Sequence, residues 1–178
     1  MAAKKVLISG CSGGGKSTLL TAFGALAYPI VPEPGRRIVD GEMRGNGKAL
    51  PWVDLHEFAR RAIDMAQADL AAADNLKGFV FFDRGLIDAA VACEFAGGAS
   101  YRSLLGDTRH YAQPVFLAPP WPEIFVTDHA RRHSFDDATA EYQRLTRAFS
   151  ELGYDCCELP KAPVQERVAF VLNTLGIA

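Results

Sequence analysis

The 178-residue chain lacks several features that would narrow its class at once. It has four cysteines but no Cys-x-x-Cys pair, and its histidines show no metal-ligand spacing; they are His56, His110, His129 and His133. No apolar run approaches the roughly 18 residues of a membrane span. The N-terminal segment also lacks the long apolar core of a secretory signal. We therefore expect a cytoplasmic protein with reduced thiols and no membrane partner.

Positive charge is not in excess either. The chain has 19 Lys and Arg against 21 Asp and Glu, and its densest basic stretch is the short ARRH at 130–133. A nucleic-acid binder usually shows a basic excess clustered on one face, so no nucleic-acid partner is expected. No guanine-reading Asn-Lys-x-Asp motif occurs, which disfavours a GTPase. The length and the 49% of hydrophobic residues suit one folded unit, and we predict a single domain over residues 1–178.

Apolar runs of strand length alternate with longer helical patterns along the chain. The predicted strands are 4–9, 28–33, 78–83, 114–118 and 154–159, and the predicted helices are 17–27, 53–74, 86–95, one opened by Ser134 with Asp137, and one starting at Pro163. Strands that are apolar on both faces are typical of a covered parallel sheet. This predicts a three-layer α/β fold with a five-stranded parallel sheet and helices on both faces. Segments 35–51 and 119–122 fit neither pattern, so we expect loops there, at the carboxyl edge of the sheet.

A glycine-rich stretch, ISGCSGGGKSTLL at 8–20, follows the first predicted strand and opens the first predicted helix. Gly10, Gly15, Lys16 and Ser17 match G-x-x-x-x-G-K-[ST], the phosphate-binding P-loop, in the strand–loop–helix context that the motif needs. Phosphate oxygens bind converging backbone N–H groups, and glycine permits the dihedral angles and the close approach. The backbone predicted to cradle ATP belongs to Gly10, Cys11, Ser12, Gly13, Gly14 and Gly15.

The residues that follow the loop predict how ATP and Mg²⁺ would be held. Lys16 would reach the β- and γ-phosphates, the Ser17 hydroxyl would be a ligand of Mg²⁺, and Thr18 would contact the α-phosphate. A P-loop also needs an acid at the end of another buried strand, and Asp83 ends the run GFVFFD. Asp83 is therefore the second predicted Mg²⁺ residue. The alternative is that it caps the helix beginning at Leu86, and the two roles can coexist.

Several segments outside the P-loop carry a family resemblance. The Asp-Arg pair at 83–84 resembles that of thymidylate and deoxynucleoside kinases, and PEPGRR at 32–37 is similar to the Glu-bearing motifs of deoxynucleoside kinases and nicotinamide riboside kinase domains. Together with LPW, VFLAPPWPEIF and LPKAPVQERVAFVL, these segments resemble a family of small P-loop ATPases grouped with those riboside kinases. The resemblance covers nearly the entire chain. It implies ATP binding and a nucleotide-kinase-like fold with a small lid.

The resemblance also implies roles for residues on the acceptor side. Glu33 would contact the acceptor hydroxyl, as its general base. Arg36 fits the Arg of the Glu-x-x-Arg pattern better than Arg37, which stays the second choice. Arg84 would orient the acceptor or the transferring phosphate. In this family's nucleoside kinases a Ser or Tyr commonly follows Asp-Arg-Gly, and Leu86 stands there instead, so the resemblance does not identify the acceptor.

Two further regions have implied nucleotide contacts. Segment 121–137 would form the lid, with Arg131 and Arg132 as the cations that close over the phosphates; the alternative for these arginines is a solvated approach to a helix. Lys161 would lie at adenine, in the loop after the last strand. Trp52 and Trp121 flank the predicted loops, where they either stack on a ligand or pack in the core.

These observations favour a Mg·ATP-dependent kinase acting on a small nucleoside-like or other hydroxyl or phosphate acceptor. The alternative is a regulatory ATPase that hydrolyses nucleotide and acts through a protein partner. A binding module without turnover is disfavoured because Lys16, Ser17 and Asp83 are all present. The expected partners are thus ATP and a small acceptor. The identity of the acceptor stays open, as does a homodimer.

Overall fold

Five parallel strands form one sheet in the computed structural model, which describes residues 2–177. Their spatial order is β2-β3-β1-β4-β5, so β1 lies at the centre between β3 and β4. The bounds are β1 (Ala3–Gly10), β2 (Ile30–Val31), β3 (Gly78–Asp83), β4 (Val115–Ala118) and β5 (Cys156–Glu158). Because all pairs are parallel, the carboxyl ends of the strands meet at one edge. The predicted α/β fold with a five-stranded parallel sheet is confirmed.

Helices cover both faces of this sheet. The bounds are α1 (Lys16–Ala25), α2 (Pro34–Arg44), α3 (Leu55–Ala73), α4 (Leu86–Phe95), α5 (Tyr101–Leu105), α6 (Phe135–Glu151) and α7 (Val164–Leu175). On β1, Val6 and Ile8 face the core shared with α1 and α7, whereas Leu7 faces the core shared with α3, α4 and α6. Successive side chains of a strand point to opposite faces, so a strand buried on both sides reads as one apolar run.

The prediction of a loop throughout 35–51 is wrong, because α2 occupies most of that segment. Pro34 stands in the first turn of α2, where its fixed φ suits a helix and its missing N–H costs nothing. Ile38 and Val39 are buried, and α2 packs on α3. Gly35 and Gly41 weaken the helical pattern in the sequence, and tertiary packing overrides that weakness. The short α5, which Ser100 caps by accepting from Ser103 N–H, was also not predicted.

Other boundaries differ less. The Ser134–Asp137 capping box that opens α6 is present as predicted. Pro163 is the N-cap of α7 rather than its first residue, and the edge strands β2 and β5 are shorter than their apolar runs.

The structure also describes the state of the cysteines and the character of the helices. The four cysteines are free thiols. None of the helices formed by residues 2–177 combines the length and the apolar character needed to cross a membrane.

Candidate active site

The glycine-rich loop joins β1 to α1 at the carboxyl edge of the sheet. Gly10 has φ 107°, and a Cβ there would lie 2.4 Å from the carbonyl oxygen of Ala118 on β4. Gly15 has φ 76° and is the N-cap of α1. The Cys11 N–H donates to the Ala118 carbonyl at 2.7 Å, which ties the loop to β4. The backbone conformation that the motif predicts is therefore the one this loop adopts.

Lys16 begins α1 and is buried against the loop. Its Nζ donates to the carbonyl oxygen of Cys11 at 2.6 Å, and only 5% of the residue is exposed. Burial, followed by the repulsion of Arg84, lowers the pKa of Lys16. A phosphate placed beside Nζ would act in the opposite direction, since a nearby anion favours the charged amine. The Cys11 thiol is buried too, and burial raises its pKa.

Ser17 and Asp83 meet beside the loop. The Ser17 hydroxyl donates to Asp83 Oδ2 at 2.7 Å, whereas Asp83 Oδ1 is buried and has no hydrogen-bond partner within residues 2–177. A carboxylate and a hydroxyl are oxygen ligands of the kind that Mg²⁺ takes beside nucleotide phosphates. The orphaned oxygen thus fits the predicted cation site. Thr18, in the first turn of α1, is exposed.

The alternative role of Asp83 as the cap of α4 is wrong. Gly85 is the N-cap of that helix, and its N–H donates to Asp88 Oδ2 at 3.1 Å. Asp83 itself is 2% exposed, and burial, followed by the charge of Glu33, raises the pKa of its carboxyl to about 6. A bound cation would favour the ionised form of this group.

Arg84 is the centre of a buried ion-pair network. Its guanidinium lies 3.1 Å from Glu141, 3.2 Å from Asp88 and 3.6 Å from Glu33. Burial works against its charge, but the three carboxylates raise the pKa of Arg84. Its φ of 55° is uncommon for a residue with a side chain and is typical of functional sites. Arg84 therefore joins the ends of β2 and β3 to α6, which the sequence did not predict.

Asp88 and Glu141 are site residues that the sequence reasoning missed. Asp88 stands four residues after Arg84, but Arg84 precedes the N-cap of α4, so the pair is not a helical pair and its spacing was not a signal for it. Glu141 comes from α6, far along the chain, and no local signal connects it to Arg84. Burial alone would raise the pKa of Glu141, but Arg84 and Lys16 more than offset this and the pKa is lowered.

The two adjacent arginines of α2 lie in different places. Arg36 lines the cavity beside Glu33 and pairs with Asp128 at 3.1 Å. Arg37 instead pairs with Asp69 of α3 and is not part of the cavity lining. Arg36 was the preferred counterpart in the Glu-x-x-Arg pattern, and the structure puts it at the site. The second choice, Arg37, holds α2 against α3.

Segment 121–137, the lid candidate, lies across the loop and α2. Arg131 Nε donates to Ser12 Oγ at 2.9 Å, so the segment contacts the phosphate loop directly. The guanidinium of Arg132 stacks 4.0 Å from the ring of Trp52. Phe125 packs against Gly13, where an added Cβ would come within 2.6 Å of its ring. Both arginines thus line the cavity, although Arg132 is exposed to solvent. Their role as lid cations stays a prediction, as does the alternative of a solvated approach to the helix.

Arg167 of α7 is a third missed residue. It is 4% exposed, and its terminal nitrogens donate to the carbonyl oxygens of Gly14 and Gly15 at 3.0 and 2.9 Å. Its Nε is buried without a hydrogen-bond partner among the described residues, and its guanidinium lies 5.8 Å from the ring of Trp121. Lys161, the predicted adenine contact, is exposed in the preceding loop. Neither tryptophan belongs to the buried core: Trp52 lines the cavity, and Trp121 is half-buried beside Arg167.

A cavity of about 500 Å³ opens beside the phosphate loop. Ser12 of the loop and Glu33 at the end of β2 are both in its lining, together with Arg84. The volume is within the usual range of small-molecule sites, roughly 300–1,000 Å³. The charged end of the cavity, which includes Glu33 and Arg84, thus lies next to the glycine-rich loop. No group of His, Cys, Asp and Glu suited to a metal ion by itself was found in residues 2–177.

Comparisons with known proteins agree with this architecture. A family model described as an AAA domain (AAA_28) matches residues 5–167. No curated protein matches the sequence. Among solved structures, NadR protein in complex with NR has a TM-score of 0.71 at 17% identity, covering 99% of this chain and 50% of that chain. Deoxyadenosine kinase from M. mycoides with bound dATP has a TM-score of 0.60 at 16% identity, covering 97% and 99%.

At these identities the structural similarity establishes the fold, which is that of P-loop kinases. The chain spans about half the length of the NadR protein that it matches, and NadR has also been solved with NAD and AMP-PNP. The match with deoxyadenosine kinase covers both chains almost completely. The chain therefore has a P-loop kinase-like fold of which both of these proteins are examples.

Proposed function

The chain belongs to this family of AAA domains, and we propose that it is a Mg·ATP-dependent phosphotransferase acting on a small molecule with a hydroxyl group. One observation carries the proposal: a single cavity is lined by Ser12 of the phosphate loop and by Glu33, so a nucleotide and an acceptor can meet there. A hydrolysing switch does not need a cavity of about 500 Å³ that extends from its phosphate loop into the space between helices.

The proposed reaction requires few chemical groups from the protein. The acceptor hydroxyl oxygen attacks the γ-phosphorus of ATP, the bond from that phosphorus to the bridging oxygen breaks, and ADP leaves. Glu33 orients the hydroxyl and accepts its proton. Positioning and cations provide most of the rate enhancement in such transfers, because the transition state is loose and its negative charge is spread.

The phosphates of ATP would be held by side chains that lie at or beside the phosphate loop. Lys16 would contact the β- and γ-phosphates, and Ser17 with Asp83 would hold Mg²⁺, which supplies charge neutralisation between the phosphates when bound. Arg131 contacts Ser12 of the loop, so it would lie over the same phosphates. Arg132 lines the cavity and would close its entrance from the lid.

Arg84 would act on the acceptor through Glu33. Its ion pair with Glu33 fixes the carboxylate, and its other partners, Asp88 and Glu141, fix Arg84. A general base must be held within hydrogen-bond reach of the proton it removes. We therefore assign Arg84 to positioning, and its direct contact with the acceptor stays a prediction.

Two structurally similar proteins support a small organic acceptor. NadR has been solved with NR, and deoxyadenosine kinase has been solved with dATP. We extend this to an acceptor of nucleoside-like size for the present chain. We also propose that residues 1–178 form a single domain and that the protein is cytoplasmic.

A product assay tests the proposal. Purified protein would be incubated with Mg·ATP and a pool of nucleosides, ribosides, nucleotides and other hydroxyl compounds, and mass spectrometry would search for species heavier by one phosphate. A phosphorylated acceptor is the expected result. ADP and free phosphate without consumption of any acceptor would contradict the proposal and favour the regulatory ATPase.

A further inference from the structure

The wall of the cavity away from its charged end is apolar. Helix α3 contributes Leu55, Phe58 and Ala62 to it. Helix α4, after Asp88, contributes Ala89, Val91, Ala92 and Phe95. Four turns of two helices thus present aromatic and aliphatic side chains to whatever fills this part of the site.

Neutral hydrogen-bonding side chains are scarce around the cavity. Within the described part of the chain, residues 2–177, its lining contains no Asn, Gln, Thr or Tyr, and its neutral hydrogen-bonding side chains are Ser12, His133 and, through its indole N–H, Trp52. The Ser12 hydroxyl accepts from Arg131. His133 Nε2 is buried, and burial lowers the pKa of the ring. A site that reads the edge of a nucleobase needs donors and acceptors that face that edge.

Three of the four carboxylates of the lining, all except Glu33 at the polar end, accept hydrogen bonds from the protein itself. Asp88 accepts from the Ser9 hydroxyl and from Gly85 N–H, and Asp137 accepts from the N–H and hydroxyl of Ser134. Glu141 accepts two hydrogen bonds from Arg84. These groups have partners already, so a polar ring edge placed in the cavity would compete with the protein's own hydrogen bonds.

Two arginines of the lining face aromatic rings. Arg132 lies over Trp52, and the guanidinium of Arg144 lies 3.8 Å from the ring of Phe95. Neither arginine forms an ion pair within 4.0 Å of a carboxylate in residues 2–177. Stacked guanidinium planes and their aliphatic stems offer flat contact surface to a ligand.

We infer that the acceptor carries its hydroxyl on a polar end and has an aromatic or aliphatic body without hydrogen-bonding edges. The polar end lies at Glu33, and the body fills the wall formed by α3 and α4. A polar ring edge that faces the apolar side chains of α3 and α4 would lose its bonds to water without replacement, because none of those side chains can form a hydrogen bond, whereas an apolar body gains from leaving water. This inference rests on the proposed kinase function and narrows its substrate class.

Matched pairs of ligands test the inference. Thymidine would be compared with its 2,4-difluorotoluene deoxyriboside, and uridine with 1-β-D-ribofuranosylbenzene, because each pair shares a sugar and differs in the polarity of the ring. Calorimetry with a non-hydrolysable ATP analogue would measure affinity, and mass spectrometry with ATP would measure transfer. We expect the apolar member of each pair to bind at least as tightly and to react at least as fast.

A pair of variants locates the effect in the cavity. Ala92→Leu fills space in the lining, and we expect it to weaken binding of the apolar members by tenfold or more. Ala68→Leu, at an exposed position of α3, should leave binding unchanged. If Ala92→Leu does not fold, Ala140→Leu on α6, another alanine of the lining, replaces it.

Measuring binding and phosphoryl transfer separately distinguishes a failure of this inference from a failure of the proposed function. Tenfold preference for the polar member of either pair, or no binding by any of the four compounds, would overturn the inference. Preferred binding of the apolar members with ADP formation but no phosphorylated product would support the inference about the cavity and overturn the kinase assignment.

Discussion

The phosphate loop and the acceptor cavity meet at Ser12 but are built in different ways. The loop is one contiguous stretch, and its predicted contacts with nucleotide are backbone N–H groups and the two side chains that directly follow it, Lys16 and Ser17. The cavity is assembled from four helices, two strand ends and part of the lid segment, with Arg84 connecting Glu33, Asp88 and Glu141. A local motif therefore specifies the predicted nucleotide site, whereas residues that are remote in sequence form the cavity where we propose that the acceptor binds.

The largest expected effect is on the phosphate side. Lys16→Ala removes the cation that would contact the γ-phosphate, and ATP turnover should fall by about 10²–10³-fold or more, as for other lost charge-stabilising contacts in active sites. Turnover would be measured by coupled ADP detection. Lys77→Ala, an exposed lysine before β3, is the matched control and should retain full turnover. Near-normal ATP turnover by Lys16→Ala would contradict the assignment of the nucleotide site.

The next largest effect should distinguish the acceptor cavity from the phosphate loop, because it changes transfer without changing nucleotide affinity. Glu33→Gln keeps the shape of the side chain but cannot accept the proton, so transfer to the acceptor should fall by about 10²-fold or more. The affinity for an ATP analogue should change little, because Glu33 belongs to the acceptor side. Calorimetry and product assays would measure the two quantities, with Glu166→Gln on α7 as the exposed control. Transfer at more than a tenth of the normal rate would show that Glu33 is not the base.

A third substitution tests whether Arg167 of α7 holds the phosphate loop in position. Arg167→Met removes two charge-assisted hydrogen bonds to the carbonyls of Gly14 and Gly15, each typically contributing about 1.5–3 kcal/mol. Because these bonds position the loop, KM for ATP should rise by about tenfold or more while kcat changes less. Arg147→Met, an exposed arginine of α6, is the control. The melting temperature would show whether the variant is folded. If it is folded and KM for ATP is unchanged, Arg167 has no role in nucleotide binding.

The smallest expected effects come from two neighbouring arginines of α2. Arg36→Gln should raise KM for the acceptor several-fold, since Arg36 lines the cavity and contacts Asp128 of the lid segment. Arg37→Gln should leave KM unchanged and lower the free energy of unfolding by about 1 kcal/mol, because its pair with Asp69 is partly exposed. Steady-state kinetics and denaturant unfolding would measure both variants. The reverse pattern would mean that Arg37 is the functional arginine.

The parts of the site that could be predicted are those whose signal is local. Lys16, Ser17 and Asp83 follow from the P-loop motif and a strand that ends in an acid. Helix α2 was missed because Gly35 and Gly41 lower its intrinsic propensity, and its stability comes from packing on α3. A single sequence contains no measure of that packing.

The sequence by itself determined the parallel α/β sheet and the phosphate loop, because apolar strand runs and glycine dihedral angles are properties of consecutive residues. It also placed Glu33 and Asp83 at strand ends, and so at one edge of the sheet. Only the tertiary structure decided that Arg84 is held by Glu141 of α6 and that Arg167 of α7 bonds the loop. It likewise decided that Arg36 rather than Arg37 lines the cavity. Long-range ion pairs depend on how helices pack on the sheet, and residue spacing along the chain does not encode that distance.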